Sequence, residues 1–301
     1  MALASCGSTT DSCGRENAQH GTALFPIACY EDDLHTYFVP WHWHEEFECI
    51  VAVEGQMDVC LDGTHLRLMP GEGVFINSGA LHAVEAVDKL PSVLRSIVFH
   101  PRLIGGSMDS VFWQRLVQPL LQGEAPRYLF LDPSVPWQGE VAAEILTIWQ
   151  AGTEAGEDHE NFIRYRLSAV FRQLNAHSTA VSRRKSQQDH ISEERMKTML
   201  RFIEEHYPEE LTLEAIAGSV SVSGSVCLRC FRQTLGTTPI QYLKQLRIEK
   251  AAQLLLTTDQ KIQQIGLQCG FSDLSYFTKT FRNEKGCPPK AYREAYARGT
   301  G

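Results

Sequence analysis

LTLEAIAGSVSVSGSVCLRCFRQTLGTTPIQY (211–242) and KIQQIGLQCGFSDLSYFTKTFRNEKGCPPKAY (261–292) are two copies of one pattern. Phe231 and Phe281 stand 50 residues apart, as do Arg232 and Arg282, Gly236 and Gly286, Pro239 and Pro289, and Tyr242 and Tyr292. Upstream, Leu213 pairs with Ile262 and Ile216 with Ile265 at a spacing of 49, so the second copy carries one extra residue in its turn, around Gly270-Phe271. Seven matches in one consistent register point to a duplicated unit rather than to chance.

Each copy reads as helix, turn, helix. In the first, Leu213, Ile216 and Ala217 mark a short helix and Ser219 to Val222 make the turn. Ser223 suits the N-cap of a second helix because its hydroxyl accepts an orphan backbone N–H. That helix runs to about Thr234 and stops at Gly236. Val226, Cys227, Cys230 and Phe231 bury one face. Ser225, Leu228, Arg229 and Arg232 occupy the other, at i, i+3, i+4 and i+7. The second copy repeats this with Asp273 as cap, Leu274 at the helix start, and Ser275, Thr278, Lys279 and Arg282 in matching positions. A lone arginine on a helix is usually solvated surface. Two copies in register, each a short brace followed by an exposed helix of cations and small polar residues, fit insertion into the major groove of double-stranded DNA. Between them PIQYLKQLRIEKAAQLLL (239–256) reads as one long helix that fixes the spacing of two reading heads.

The rest of the chain bounds this reading. Its 301 residues allow two domains, and 43% hydrophobic content is ordinary for a globular protein. No run approaches the ~18–20 apolar residues of a membrane span. The first twenty residues lack a signal-peptide core. A cytoplasmic protein with no membrane partner is expected. Nine cysteines without disulfide-framework spacing suit a reducing compartment. Cys227 and Cys230 form a C-x-x-C, but both fall at apolar helix positions with no second Cys/His pair at zinc-finger spacing, so they read as a buried structural pair. The net charge of −8 divides unevenly: residues 183–301 hold 18 Lys/Arg against 13 Asp/Glu, or +5, and residues 1–182 hold 10 against 23, or −13. A basic DNA-facing domain joined to an acidic partner explains that asymmetry.

From about residue 24 to 100 the pattern is short strands and turns. Phe47 to Val59 is broken by Glu54-Gly55, Asp62-Gly63 marks a hairpin, and Pro70-Gly71 and Asn77-Ser78-Gly79 are further turns. A small antiparallel barrel or double-sheet roll follows. Helical periodicity takes over after about residue 108, with helices near 138–151 and 158–177. In the second, Ile163, Leu167, Val170, Phe171 and Leu174 form one apolar stripe, suited either to packing on the chain's own barrel or to a dimer seam. STAVSRRKSQQD (178–189) reads as a linker.

The segment 195–293 closely resembles the DNA-binding domain of the AraC/XylS family of bacterial regulators. The resemblance rests on LTLEAIA (211–217), the CFR and Gly236 after it, RIEKAAQLLL (247–256), I-x-x-I-x-x-x-x-G-F (262–271), SYFTKTFR (275–282) and GCPPKAYR (286–293). It implies seven helices, a bridging helix, and two recognition helices in successive major grooves. It also implies a transcription regulator, activator or repressor, with operator DNA, a small-molecule effector, RNA polymerase and a second copy of the chain as partners. Gly266 stands where the family usually has Ala, and Leu228 where polar base-reading side chains are common.

PWHWHEEFECIVAVEG (40–55) contains His42-x-His44, Glu48 and Gly55 at the spacing of the first metal-binding motif of the cupin superfamily, which it resembles. Alternation along a strand puts His42 and His44 on one face, and Glu48 keeps that parity. Gly79-Ala80-Leu81-His82 resembles the end of the second cupin motif and offers a third imidazole. The glycine usual before the first histidine is absent, and Ser78 stands near the usual proline. Three histidines and a carboxylate suit a divalent Zn, Ni, Fe or Mn. A bound metal, a metal-free effector pocket lined by the same side chains, and purely structural histidines all fit the pattern. Trp41 and Trp43 fit core, pocket wall or rim equally.

The expected architecture is multidomain α+β: a tail over 1–22, a cupin-like β-barrel binding the effector over 23–107, a helical dimerisation region over 108–177, the linker, and an all-α domain over 190–298 with helix-turn-helix units at 211–236 and 261–286. The function expected is a one-component, sequence-specific DNA-binding regulator. The alternative, a metal-dependent cupin enzyme tethered to DNA, leaves the fused DNA-binding domain without a purpose. Residues 183–301 expressed alone should be helical and bind DNA with an affinity that falls steeply with salt, as neutralisation of phosphates demands. A helical fragment that never shifts DNA at low salt would contradict the domain reading.

Overall fold

The computed structural model describes residues 19–34, 39–61, 63–87, 90–121, 125–178 and 187–296. The chain divides into two units, Met1–Ile191 and Ser192–Gly301. Their sequences differ in period as well as in charge. Strand alternation dominates most of the first, and 3.6-residue periodicity fills the second.

Among the described residues, the first unit opens with eight strands: β1 (Ile27–Asp33), β2 (Val39–His42), β3 (Phe47–Glu54), β4 (Met57–Leu61), β5 (Thr64–Leu68), β6 (Gly73–Ile76), β7 (His82–Ala86) and β8 (Val93–Phe99). Breaks fall where the turn residues stand. Gly55, between β3 and β4, has φ +68°, and a Cβ there would lie 2.1 Å from the Pro91 carbonyl, so only glycine fits. The strands form two antiparallel sheets, ordered β2-β7-β4-β5 and β1-β8-β3-β6, the latter extended by a ninth strand described below.

β3 is buried on both faces, which is why FECIVAVE reads as a nearly continuous apolar run. Ile50 and Ala52 join Met57, Val59, Leu61 and Val84 in the core between the sheets. Phe47, Cys49 and Val51 point the other way, onto helices. Those are α3 (Pro136–Glu154) and α4 (His159–Ser178), preceded by the short α1 (Arg102–Gly105), a π-helical turn (Trp113–Val117) and α2 (Gln118–Leu121). The stripe Ile163, Leu167, Val170, Phe171 and Leu174 is wholly buried in this core. The Phe171 ring lies 5.0 Å from Phe47, 5.9 Å from Phe75 and 5.7 Å from Phe99. The stripe therefore belongs to the chain's own sheet and is not a dimer seam. Each such side chain contributes about 1.5–3 kcal/mol of burial.

Two expectations need correction. The region 108–177 is not all helical: β9 (Tyr128–Leu131) returns to the sheet and pairs antiparallel with β6. Its four residues are too few to show a period, and a short apolar run does not distinguish strand from helix. The tail over 1–22 is not all loose either. Residues 1–18 lie outside the described residues, but His20 is buried and its Nδ1 is 2.8 Å from the Tyr30 hydroxyl. Of the linker, 179–186 lies outside the described residues. Ser178 ends α4, and Gln187 to Asp189 already belong to the next helix.

Among the described residues, the second unit holds α5 (Gln187–His206) from Ser192 onward, α6 (Leu213–Gly218), α7 (Gly224–Leu235), α8 (Pro239–Thr257), α9 (Ile262–Gln268), α10 (Leu274–Lys285) and α11 (Pro289–Tyr296). This is the seven-helix arrangement that the resemblance implied. Each repeated residue has a repeated task. Ser223 and Asp273 cap α7 and α10 by accepting the Val226 and Tyr276 N–H groups, and Gly236 and Gly286 end them in left-handed conformation. Pro239 and Pro289 each open the next helix. The Phe231–Tyr242 and Phe281–Tyr292 rings meet at 6.1 Å and 5.4 Å. The extra residue is also locatable. Val222 and Phe271 both donate back to the carbonyl five residues earlier, so they are equivalent, and Ser272 is the insertion before the Asp273 cap.

The two units differ inside by an exchange of volume. Gly266 is in the register of Ala217, and Phe277 in that of Cys227; Ala217, Cys227 and Phe277 are almost wholly buried. A Cβ on Gly266 would meet the Phe277 ring at 3.0 Å. The smaller residue in α9 makes room for the larger one in α10. Gly266→Ala should therefore destabilise the protein by about 1 kcal/mol, because overpacking costs more than the ~1 kcal/mol of helix propensity regained. In urea unfolding, adding Phe277→Cys should reverse the sign of the Gly266→Ala effect. Additive effects of the two changes would refute the exchange.

Candidate DNA-reading helices and a buried histidine centre

On α7, Cys227, Phe231 and Leu235 are buried, while Ser225, Arg229 and Arg232 are exposed and Leu228 is half-buried. On α10, Phe277, Thr280 and Phe281 are buried, Leu274, Ser275, Lys279 and Arg282 are exposed, and Thr278 is half-buried. All nine residues singled out for DNA contact thus lie off the inward faces, with Leu228 and Thr278 in equivalent places. Tyr276 was not singled out by its pattern, because its register partner is the inward-reading Val226. It is 56% exposed and adds a phenol to the first turn of α10. The Cys227–Cys230 pair is only partly the buried pair expected, since Cys230 is half-buried; burial pushes the Cys227 thiol up to about 11.

These helices are held to α8. It packs against α6, α7, α9, α10 and α11. Lys285 and Glu249 pair at 2.7 Å and Lys244 and Glu284 at 2.9 Å, tying the end of α10 to α8. Arg247, on α8, donates to the carbonyls of Tyr207 and Glu209, each at 2.7 Å. Gly270 is forced by the same arrangement. Its φ is +82°, and a Cβ would lie 2.8 Å from the Tyr207 carbonyl and 2.9 Å from Arg247. Arg293 donates to the carbonyls of Leu255 and Gln260, closing the end of α8.

In the first unit the structure brings His42, His44, Glu48 and His82 together, all buried, with one donor atom from each within 4.8 Å of the others. Alternation along one strand is not what assembles them. β2 ends at His42, His44 lies in the turn that follows, and Glu48 is on β3 in the other sheet. His42 faces His82 directly across the β2–β7 ladder, with rings 4.1 Å apart.

Each imidazole is fixed through Nδ1. His42 lies 2.8 Å from the Pro40 carbonyl, His44 3.1 Å from that of Glu46, and His82 2.9 Å from that of Ala80. A carbonyl only accepts, so each Nδ1 carries the proton. The Nε2 atoms of His44 and His82 then converge on Glu48 Oε2 at 3.2 Å and 2.9 Å. Three acceptors meeting at one point require a further proton or a cation among them. Burial alone would lift the Glu48 carboxyl; where the further proton sits on His44 or His82, the hydrogen bonds and charge this gives outweigh burial and hold the carboxyl well below the usual carboxylate range. Orientation of each histidine by a backbone carbonyl is also how metal-ligating imidazoles are held, so these residues fit a divalent transition metal.

The centre opens on a small cavity of about 10 Å³ between the sheets. Trp41 and Trp43 are half-buried and are not among its lining residues. Asp32, 2% exposed on β1, does line it and was missed by the motif reading. The available signal was an acid two positions from the buried Tyr30, on the inward parity of a strand. The N-terminal segment also reaches the centre, with the His20 and His44 rings 5.5 Å apart.

A two-sheet domain with a buried polar centre, joined to two capped helix-turn-helix units on one bridging helix, defines a ligand-binding transcription regulator. An AraC-like ligand binding domain model matches residues 24–194, more than half the chain, and a helix-turn-helix domain model matches residues 216–295. The chain belongs to the AraC family of DNA-binding transcription regulators. It is 27% identical over 283 residues, 93% of its own length and 96% of the relative's, to the uncharacterized HTH-type transcriptional regulator YdeC of Bacillus subtilis. It is 26% identical over 286 residues, 91% and 96% of the two lengths, to the HTH-type transcriptional activator RhaS of Escherichia fergusonii. Among solved structures it is similar to ToxT from Vibrio cholerae, with a TM-score of 0.45, 15% identity, and 89% and 97% of the two chains covered. Among the described residues, no helix is long and apolar enough to cross a membrane.

Arg229 and Lys279 occupy equivalent exposed positions, and both can donate to guanine O6 and N7. Arg229→Ala should cost ~1–3 kcal/mol on the best site and relax selection at one base position. Lys279→Ala should relax a different position, about one helical turn (~10 base pairs) away. Alanine at Arg232 or Arg282 should weaken all sequences similarly and lower the salt slope. Binding-site selection on the four variants at fixed salt checks this. Relaxation of the same base pairs by Arg229→Ala and Lys279→Ala would contradict it.

Proposed function

We propose that this chain is a one-component regulator, not an enzyme. It acts in the cytoplasm as a homodimer, reads its operator with α7 and α10, and contacts RNA polymerase when bound. The observation that carries the reading is the equivalence of Arg229 and Lys279 on two identically capped helices fixed to α8. Ser225, Leu228, Leu274, Ser275 and Thr278 supply the smaller contacts, with the two leucines suited to thymine methyl groups.

The sensor is the two-sheet domain, and its binding centre is His42, His44, Glu48 and His82. We assign to it a divalent transition metal of the Zn, Ni, Fe or Mn class. Supporting this are the three carbonyl-oriented imidazoles and the convergence of acceptors on Glu48. The metal would give the centre a compact positive charge, and loading or loss of ligand there would alter the presentation of the DNA-reading helices.

Full-length protein purified without chelator should carry close to one equivalent of a transition metal by elemental analysis. His44→Ala should reduce this to a small fraction, since tight binding needs each ligand. Wild-type protein carrying none, and taking up none when metal is supplied, would overturn the metal assignment and leave the same side chains as a metal-free pocket.

A further inference from the structure

We infer that Asn77 is a positioning residue of the histidine centre: it fastens the turn that orients His44 and His82 to the chain between α2 and β9. This rests on the reading of His42, His44, Glu48 and His82 as the binding centre, and names what sets the geometry of that centre.

The turn between β6 and β7 holds two of the three imidazoles. The Ala80 carbonyl lies 2.9 Å from His82 Nδ1 and accepts its proton. Gly79 donates its N–H to the His44 carbonyl at 2.8 Å, and the Ser78 hydroxyl donates to the Glu45 carbonyl at 2.8 Å. Both bonds grip the loop from which the His44 ring reaches Glu48. A displacement of residues 78–80 therefore moves His44 and His82 together, and with them the two Nε2 atoms that meet Glu48 Oε2.

Asn77 decides where that turn sits. It is 6% exposed, and its amide spends both donors on distant chain. Nδ2 donates to the Leu120 carbonyl, on α2, at 2.6 Å and to the Pro126 carbonyl, before β9, at 3.0 Å, while Oδ1 accepts the Ser78 N–H at 2.8 Å. Two acceptors and one donor leave a single way to place the oxygen and nitrogen of the amide. A hydroxyl has one donor and a carboxylate none, so neither can hold both carbonyls. Chain reversal needs only the bond to Ser78. The bonds to residues 43 and 49 positions further along are more than reversal requires.

The same stretch is tied in the opposite direction. The Asn77 N–H donates to the Arg127 carbonyl at 2.8 Å, and Arg127 Nη2 donates to the Gly79 carbonyl at 2.7 Å. The anchor is held in its turn: Asn175 on α4 donates to the carbonyl of Leu116, one turn before Leu120, at 2.8 Å. The orientation of two imidazoles is thus set jointly by the sheet that carries them and by the helices packed outside it.

The test uses full-length protein and three variants. Asn77→Ser keeps a short acceptor for the turn but cannot hold both carbonyls. Arg127→Met removes the reverse tie at similar length. Val74→Ala truncates a wholly buried side chain on β6, the strand that leads into the turn, and serves as the control for lost stability. All three should lower stability in urea. Only the first two should weaken cobalt(II) in chelator competition and alter its visible spectrum, Asn77→Ser by about 10-fold, the lower end of the usual loss when the groups that orient metal-ligating histidines are disturbed. In metal-free protein the same two should shift the ring-nitrogen resonances of His44 and His82, seen in nitrogen-15 spectra of histidine-labelled chain. If Asn77→Ser does not fold, Arg127→Met decides by the same readouts. Variants that leave affinity, spectrum and resonances as in the wild type, or a Val74→Ala that moves them as far, overturn the role of Asn77 and spare the metal site. Wild-type protein that binds no cobalt fails the metal assignment instead, and the ring-nitrogen resonances then decide the role of Asn77 alone: shifts in Asn77→Ser sustain it, and their absence overturns it.

Discussion

The burial of α8 on several sides is the constraint on which the DNA-reading half depends. Leu243, Ile248, Ala251, Ala252 and Leu255 are buried, and because the helix packs against five others, its apolar residues do not collect in a single stripe. A surface helix normally shows such a stripe. A helix gripped this way cannot bend or rotate without opening its contacts with α6 and α7 or with α9, α10 and α11, so the two reading heads keep a fixed spacing. The ion pairs from Lys244 and Lys285, half-exposed or buried beside this core, fix orientation more than they add stability.

Inside that frame the two heads are alike in their ends and unlike in their middles. Caps, stops and the aromatic contact with the following helix are repeated. The interior pair is Ala with Cys in one unit and Gly with Phe in the other. Backbone demands such as a left-handed stop accept few residues, so they stay visible in the sequence as identities at a spacing of 50. Packing demands accept any pair of suitable total volume. This is why Gly266 reads as a weakness in isolation and as a fit in the structure.

The same distinction explains what was legible in the sensor domain. Turns at Glu54-Gly55 and Asn77-Ser78-Gly79 could be read because their chemistry is local. The convergence of His42, His44, Glu48 and His82 was legible as a motif, though the reason offered for it, parity along one strand, was not the operative one. β9 was not legible, since Tyr128–Leu131 gains its identity from pairing with β6 more than fifty residues away. His20 and Asp32 were not legible either, because their meaning lies in what the fold sets opposite them. The apolar stripe on α4 left two partners open, and only the position of Phe171 among Phe47, Phe75 and Phe99 decides between them.

The central claim is that one chain presents two reading heads at a spacing set by α8. Methylation interference on a selected DNA fragment bound by the full-length protein tests it most directly, because guanine N7 lies in the major groove where both heads would sit. The account predicts, for each bound chain, two interference clusters on one face of the duplex, with centres about one helical turn apart. A single cluster per chain, or two clusters on opposite faces, would contradict it.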